Sequence, residues 1–233
     1  HSCMVFAHTA RGGKFCAFVA TRTRGACGLP AGCLSLACAR LASSDYWLVA
    51  KSGVSMDDIV KQAMAKWPNV PDCYGWLGLD ARGDWYMRDD RVQALGDFKH
   101  SKGSRLQHDK LIEFIGRNYA CDAQGQWFFQ NGPQRVYVEL EITPWIWRIQ
   151  TDGTLQSHTQ KTALFEDCYV DEEGRVYLQT DIGFGLVHTQ DVLMAAQFVE
   201  QGVWQPQEVQ SQTLAQRFGF QISPKVTQKT PDA

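Results

Sequence analysis

His188 and Asp181 share the segment DIGFGLVH and form the most suggestive pairing of ionisable residues in the chain. Histidine titrates near neutral pH and serves as a general base when a carboxylate orients it. His188 also closes a strand just before a helix start, a position where function often sits. The structural alternative is a ring hydrogen-bonded to that helix cap. Glu139 and Glu141 alternate on one strand, about 7 Å apart, a spacing compatible with glycoside hydrolysis. Two glutamates on the solvent face of a sheet are, however, commonplace. Trp127, Arg135, Trp145 and Trp147 are the candidate binding residues. Facing solvent, they would form a stacking platform for bases, sugars or proline-rich peptides; facing inward, they are core, and strand alternation does not say which side is inside.

Other chemistries lack their residues. The serines after Met56 (101, 104, 157, 211, 223) fall in loops, a cap or the tail, without the strained strand-to-helix setting of a nucleophile elbow. Cys73, Cys121 and Cys168 occupy strand positions and are expected to be packed thiols. No two histidines have zinc-pair spacing, and His158 merely follows a hairpin, so no metal is expected. Gly183-Phe-Gly185 begins like a dinucleotide fingerprint, but the third glycine and the βαβ setting are missing, and no cofactor is implied.

The 233 residues allow one domain with appendages. Residues 1–55 carry six Lys or Arg against the single acid Asp45, leaving 17 basic and 24 acidic residues beyond them, a balance of -7. Phosphate binding needs a basic field, so a protein or small-molecule ligand is favoured over nucleic acid. No apolar run reaches the length of about 18 residues that a membrane helix needs, and no membrane partner is expected. Five of the eight cysteines (3, 16, 27, 33, 38) also lie in the first 55 residues. That segment matches neither a secretory signal nor a zinc motif, whereas protein-like periodicity begins at Met56, MDDIVKQAMAKW. Residues 1–55 are therefore expected to lie outside the fold, as upstream read-through or disorder. Sparse cysteines beyond them suggest a reducing, cytoplasmic setting.

From Met56 a helix is predicted over about 57–67, ended by Pro68. A second, begun by a capping box at Ser104 and Gln107, is predicted over 105–115, with Gly116 as its stop, and a third over about 190–200 after Thr189. Between them run strands joined by tight turns: Asp80–Gly83, Asp122–Gly125 and Asp171–Gly174 share an Asp-x-x-Gly pattern, and Asn131-Gly132 and Thr151–Thr154 add two more. The turn glycines at 83, 125, 153 and 174 have no fixed period, which argues against a propeller or solenoid. A short helix is possible near 214–218, and 221–233 reads as a disordered tail.

The wording of YGWLGLDARGDWYMRDD, LIEFIGRNYACDAQGQWFFQNGPQRVYVELE, PWIWR and TDIGFGLVH resembles an uncharacterised family of proteobacterial proteins over residues 56–192. The resemblance implies a bacterial origin and no activity. The expected architecture is α+β: one antiparallel, hairpin-built meander with about three packing helices in a single domain at 56–220. The expected function is a non-catalytic binding or regulatory module, with a hydrolase-like enzyme using His188 and Asp181 as the alternative.

Overall fold

Three aspartates set the chain reversals in the same way. Asp80, Asp122 and Asp171 each accept, through Oδ1, the backbone N–H groups two and four residues on, at 2.9–3.0 Å. In each turn the glycine N–H closes onto the aspartate carbonyl. Glycines 83, 125 and 174 have φ between 75° and 82°, a conformation that disfavours a Cβ. The side chain thus mimics a backbone acceptor and makes the reversal locally encoded.

The computed structural model describes residues 3–7, 17–21, 58–66 and 70–224. Within the first 55 residues, strands β1 (Cys3–Ala7) and β2 (Ala17–Thr21) pair antiparallel. Helix α1 (Asp58–Lys66) follows and buries Val60. Next come β3 (Cys73–Leu79), β4 (Trp85–Met87), α2 (Asp90–Ala94), β5 (Ser104–Arg105) and α3 (Asp109–Arg117). The chain continues through β6 (Tyr119–Cys121), β7 (Trp127–Asn131) and β8 (Gln134–Leu140). Strands β9 (Trp145–Ile149), β10 (Leu155–Ser157), β11 (Thr162–Ala163), β12 (Phe165–Val170), β13 (Val176–Thr180) and β14 (Gly183–Val187) make up the second half. Helix α4 (Val192–Glu200), β15 (Gln207–Glu208) and α5 (Leu214–Phe218) close it.

The fold is α+β, but from β3 onward the strands form two mixed sheets where a single antiparallel meander was expected. Their orders are β5-β4-β3-β8-β7-β6 and β11-β10-β9-β14-β13-β12-β15. Removing β15 leaves the same six-strand order twice, so the architecture is a duplication. Each half has a central parallel pair, β3 with β8 and β9 with β14, flanked by antiparallel hairpins. Gly83 and Gly153 stand 70 positions apart in the equivalent first turns, Gly125 and Gly174 only 49 apart in the second. The difference comes from the first half, where α2 and α3 interrupt strands that in the second half follow almost directly. That insertion hides the repeat from any search for a fixed period.

Other local expectations shift. Ser104 caps no helix; it pairs with Met87 in the sheet, and His108 caps α3 by accepting the Leu111 N–H at Nδ1. Gly116 lies inside α3, where its missing Cβ lets Thr159 pack closely. On α4 the buried residue is Ala195, flanked by partly buried Met194, Phe198 and Val199, while Leu193 is 81% exposed. Cys73 takes part in a disulfide, against its reading as a packed thiol, whereas Cys168 is a buried free thiol. At the start of the expected tail, the Ile222 carbonyl accepts the Leu140 N–H; the tail from residue 225 and Trp67 lie outside the described residues.

The two halves meet through aromatic side chains. Trp127 and Tyr119 pack edge-on against Trp145, which stacks on Trp147, and Trp85 contacts Tyr119 and His158. Trp85, Trp145 and Trp147 are at most 2% exposed. Gly183 and Gly185 are packing glycines: a Cβ would come within 2.8 Å of Trp145 Nε1 and 2.5 Å of Trp147 Nε1.

Candidate functional site

The seam between the halves opens into a polar cleft of about 470 Å³, lined by Asp80, Arg82, Asp84, Tyr86, Arg105, Arg148, His188 and Gln190. The first Asp-x-x-Gly turn and β4 supply one wall, β5 supplies Arg105, and β9 and the end of β14 supply Arg148 and His188. Both halves are needed to build it.

Most charges in the wall are answered. Arg105 Nη2 donates to Asp84 Oδ1 at 2.7 Å. Arg148 donates to Asp191 through Nε at 2.5 Å and Nη2 at 3.3 Å, and Asp191 also accepts the Ile149 N–H. Burial works against the Asp191 charge, but these donors outweigh it and hold the carboxyl below its usual range. Asp80 faces Lys102 at 3.5 Å, and Lys102 donates to Glu141 at 2.7 Å. Among the described residues, the Arg82 side chain has no hydrogen-bond or ion-pair partner and is exposed at the mouth.

His188 is 6% exposed, and its Nδ1 accepts the Gln190 N–H at 3.1 Å. An Nδ1 lone pair used in this way leaves the proton on Nε2. Burial and the neighbouring Arg148 push the ring's pKa down, so it is neutral at pH 7. His188 therefore offers a donor from Nε2, the reverse of what a general base requires.

Asp181 is not beside it. The aspartate precedes β14 and accepts the Leu164 N–H at 2.7 Å, whereas His188 follows that strand. Seven extended residues span about 23 Å, so the two do not form a dyad. Trp127, Trp145 and Trp147 point into the core, with 9%, 2% and 0% exposure, and present no open ring face. Arg135 lies apart from the cleft, with its guanidinium 4.7 Å from the Phe128 ring centre. Glu139 is buried, which raises its pKa, while Glu141 is tied to Lys102 and the Ala81 N–H.

Sequence reasoning reached His188 and missed Arg82, Asp84, Tyr86, Arg105, Arg148 and Gln190. The available signal was the repeated turn at Asp80, whose third residue is Arg82. Nothing local shows that this turn meets the end of β14. Among the described residues, no group of three His, Cys, Asp or Glu side chains is placed to hold a metal ion, and no helix is long and apolar enough to cross a membrane.

Among curated proteins, none matches the sequence. A crystal structure of a DUF1285 family protein from Silicibacter pomeroyi DSS-3 is similar over 67% of this chain and 85% of that one, with a TM-score of 0.41 and 11% identity. The model of the family DUF2944, described as a protein of unknown function (DUF2946), matches residues 56–225, and the chain belongs to that family.

Proposed function

We propose that residues 56–220 form a non-catalytic binding or regulatory module whose ligand, a small molecule bearing a carboxylate or phosphate, enters the cleft between the two halves. The supporting observation is a surplus of donors. Among the described residues Arg82 is unpaired, His188 retains its Nε2–H, and Arg105 and Arg148 each have N–H groups beyond those spent on Asp84 and Asp191. The aspartates already accept from the protein, so an acceptor-rich guest complements the wall better than a cation does. The tryptophans contribute by fixing how the halves meet.

The hydrolase-like alternative has no support from geometry, since Asp181 is far from His188 and the tautomer of His188 is that of a donor. A bacterial origin agrees with the family resemblance. A cytoplasmic location rests on the scarcity of cysteines after residue 55, and the disulfide of Cys73 weighs against it.

Titration of the protein with inorganic phosphate and with malonate, followed by calorimetry and by backbone amide shifts, tests the reading. Saturable binding that maps to the cleft and weakens at least tenfold in both Arg82→Ala and His188→Ala is expected. No saturable binding, or binding that both variants retain, would overturn it.

A further inference from the structure

Away from the cleft, the turn between β10 and β11 aims two nitrogen-bearing side chains into the protein. Ser157 organises it: its N–H donates to the Lys161 carbonyl at 2.8 Å, its Oγ accepts the Lys161 N–H at 3.1 Å, and its carbonyl accepts from Gln160. Gln160 adopts φ of 65°, a left-handed conformation that non-glycine residues rarely hold unless their surroundings demand it. Gly116 of α3 backs the turn through its close contact with Thr159.

His158 accepts the Ile146 N–H at Nδ1, 3.4 Å away, which leaves its proton on Nε2. That Nε2, the Lys161 Nζ and the Trp85 Nε1 are all sealed from solvent, and none has a hydrogen-bond partner among the described residues. They are neighbours. The His158 and Trp85 ring centres are 5.4 Å apart, and the charge of Lys161 acts directly on His158. Trp145 joins them: its ring centre is 5.8 Å from that of His158, and Lys161 Nζ is 5.5 Å from it. Lysines ordinarily extend their amines towards water, so one that buries Nζ without a carboxylate is an exception to be explained. The Trp145 ring face attracts the ammonium but accepts no conventional hydrogen bond from it.

We propose that Lys161, His158 and Trp85 form an enclosed receptor for a small monovalent anion, of halide or formate size. These three donor nitrogens have no acceptor among them, and the Nε1 of the adjoining Trp145 is a fourth sealed donor without a partner among the described residues. A cation is repelled, and one water molecule has only two lone pairs for three donors. Burial pulls the Lys161 pKa down and no carboxylate offsets it, so a single bound negative charge would balance its ammonium, whereas sulfate would leave an excess charge out of water. This site is independent of the reading of the cleft.

The test is an NMR titration of the full chain with sodium bromide and sodium formate, with sodium sulfate at matched ionic strength as the control. The Trp85 indole signal is identified by its loss in Trp85→Phe. Expected is a saturable downfield shift of the Trp85 indole N–H with bromide and formate, absent with sulfate and absent in Lys161→Met. No saturable shift, an equal shift with sulfate, or its persistence in Lys161→Met would overturn the proposal. Because the wild-type titrations decide by themselves, the proposal stays testable even if Lys161→Met fails to fold.

Discussion

Replacing Asp171 by Asn changes one atom and separates the two tasks of the turn aspartate. The carboxylate is fully buried, and Oδ1 accepts the Glu173 and Arg175 N–H groups while Oδ2 accepts Arg175 Nε at 2.7 Å and Tyr177 Oη at 2.8 Å. An asparagine keeps the Oδ1 bonds. Its amide NH₂ then confronts Arg175 Nε and the Tyr177 hydroxyl; the tyrosine can rotate its proton and accept, but the arginine cannot. One charge-assisted bond is lost and another becomes neutral, at about 1.5–3 kcal/mol for each bond to a charged group. Arg175 recovers part of this from water because its side chain is 29% exposed, so the net cost is about 3 kcal/mol. Asp122→Asn is the internal control: its Oδ2 accepts Tyr137 Oη at 3.1 Å and Gln126 Nε2 at 3.4 Å, with no arginine donor like that of Asp171 among the described residues, in a half-buried setting, and about 1 kcal/mol is expected. Urea unfolding measures both. With an m-value of about 2 kcal/mol/M, Asp171→Asn lowers the midpoint by about 1.5 M and Asp122→Asn by about 0.5 M. Equal shifts, or a loss under about 1 kcal/mol at Asp171, would refute the claim that Oδ2 carries the difference. Although burial opposes the charge, the bonds from Tyr177 and Arg175 depress the Asp171 pKa. Its stabilisation is thus complete above the unfolded value near 4 and disappears as pH falls through the lower folded value. The gap between wild type and Asp171→Asn should narrow in acid.

Trp145→Ala combined with Trp147→Ala removes two interior rings at about 3–5 kcal/mol each, comparable with the whole stability of a domain; circular dichroism should show an unfolded chain, and a folded double variant would contradict their burial. Gly125→Ala places a Cβ 2.3 Å from the Gly219 carbonyl, whereas Gly174 has nothing within 4 Å at nearly the same φ. The first substitution is expected to cost over about 2 kcal/mol and the second about 1 kcal/mol, and equal melting points would sink the close-approach argument. Burial, reinforced by Lys161, pulls His158 down to about 3. The unfolded state therefore binds the extra proton between about pH 6.5 and 3, so this contribution is intact above 6.5 and lost on acidification, by up to about 4 kcal/mol at pH 3. His158→Gln should flatten that part of the stability profile, and an unchanged profile would argue against a buried neutral ring.

Reversals were the legible part of this fold because their chemistry is local. Asp80, Asp122, Asp171 and the Gly132 turn announce antiparallel neighbours within a few residues. The central parallel pairs have no such marker: Leu77 meets Val138 and Trp147 meets Val187 only after the intervening strands are placed. Missing those pairs merged two sheets into one and left the inside of the structure undefined. Trp127, Trp145 and Trp147 were then equally consistent with core and surface. His188 was found because a strand end before a helix is visible in sequence, whereas Arg82 and Arg148 become neighbours only across the seam.

Duplication also bears on how the chain acquires its structure. Each half closes through its parallel pair, across separations of 61 residues for Leu77 with Val138 and 40 for Trp147 with Val187. Hairpins form in microseconds, so they precede either closure. Loop entropy grows only logarithmically with length, and the longer closure of the first half costs just about 0.4 kcal/mol more. The two closures thus carry nearly equal loop costs, and the cleft, which draws on both halves, requires both to have formed.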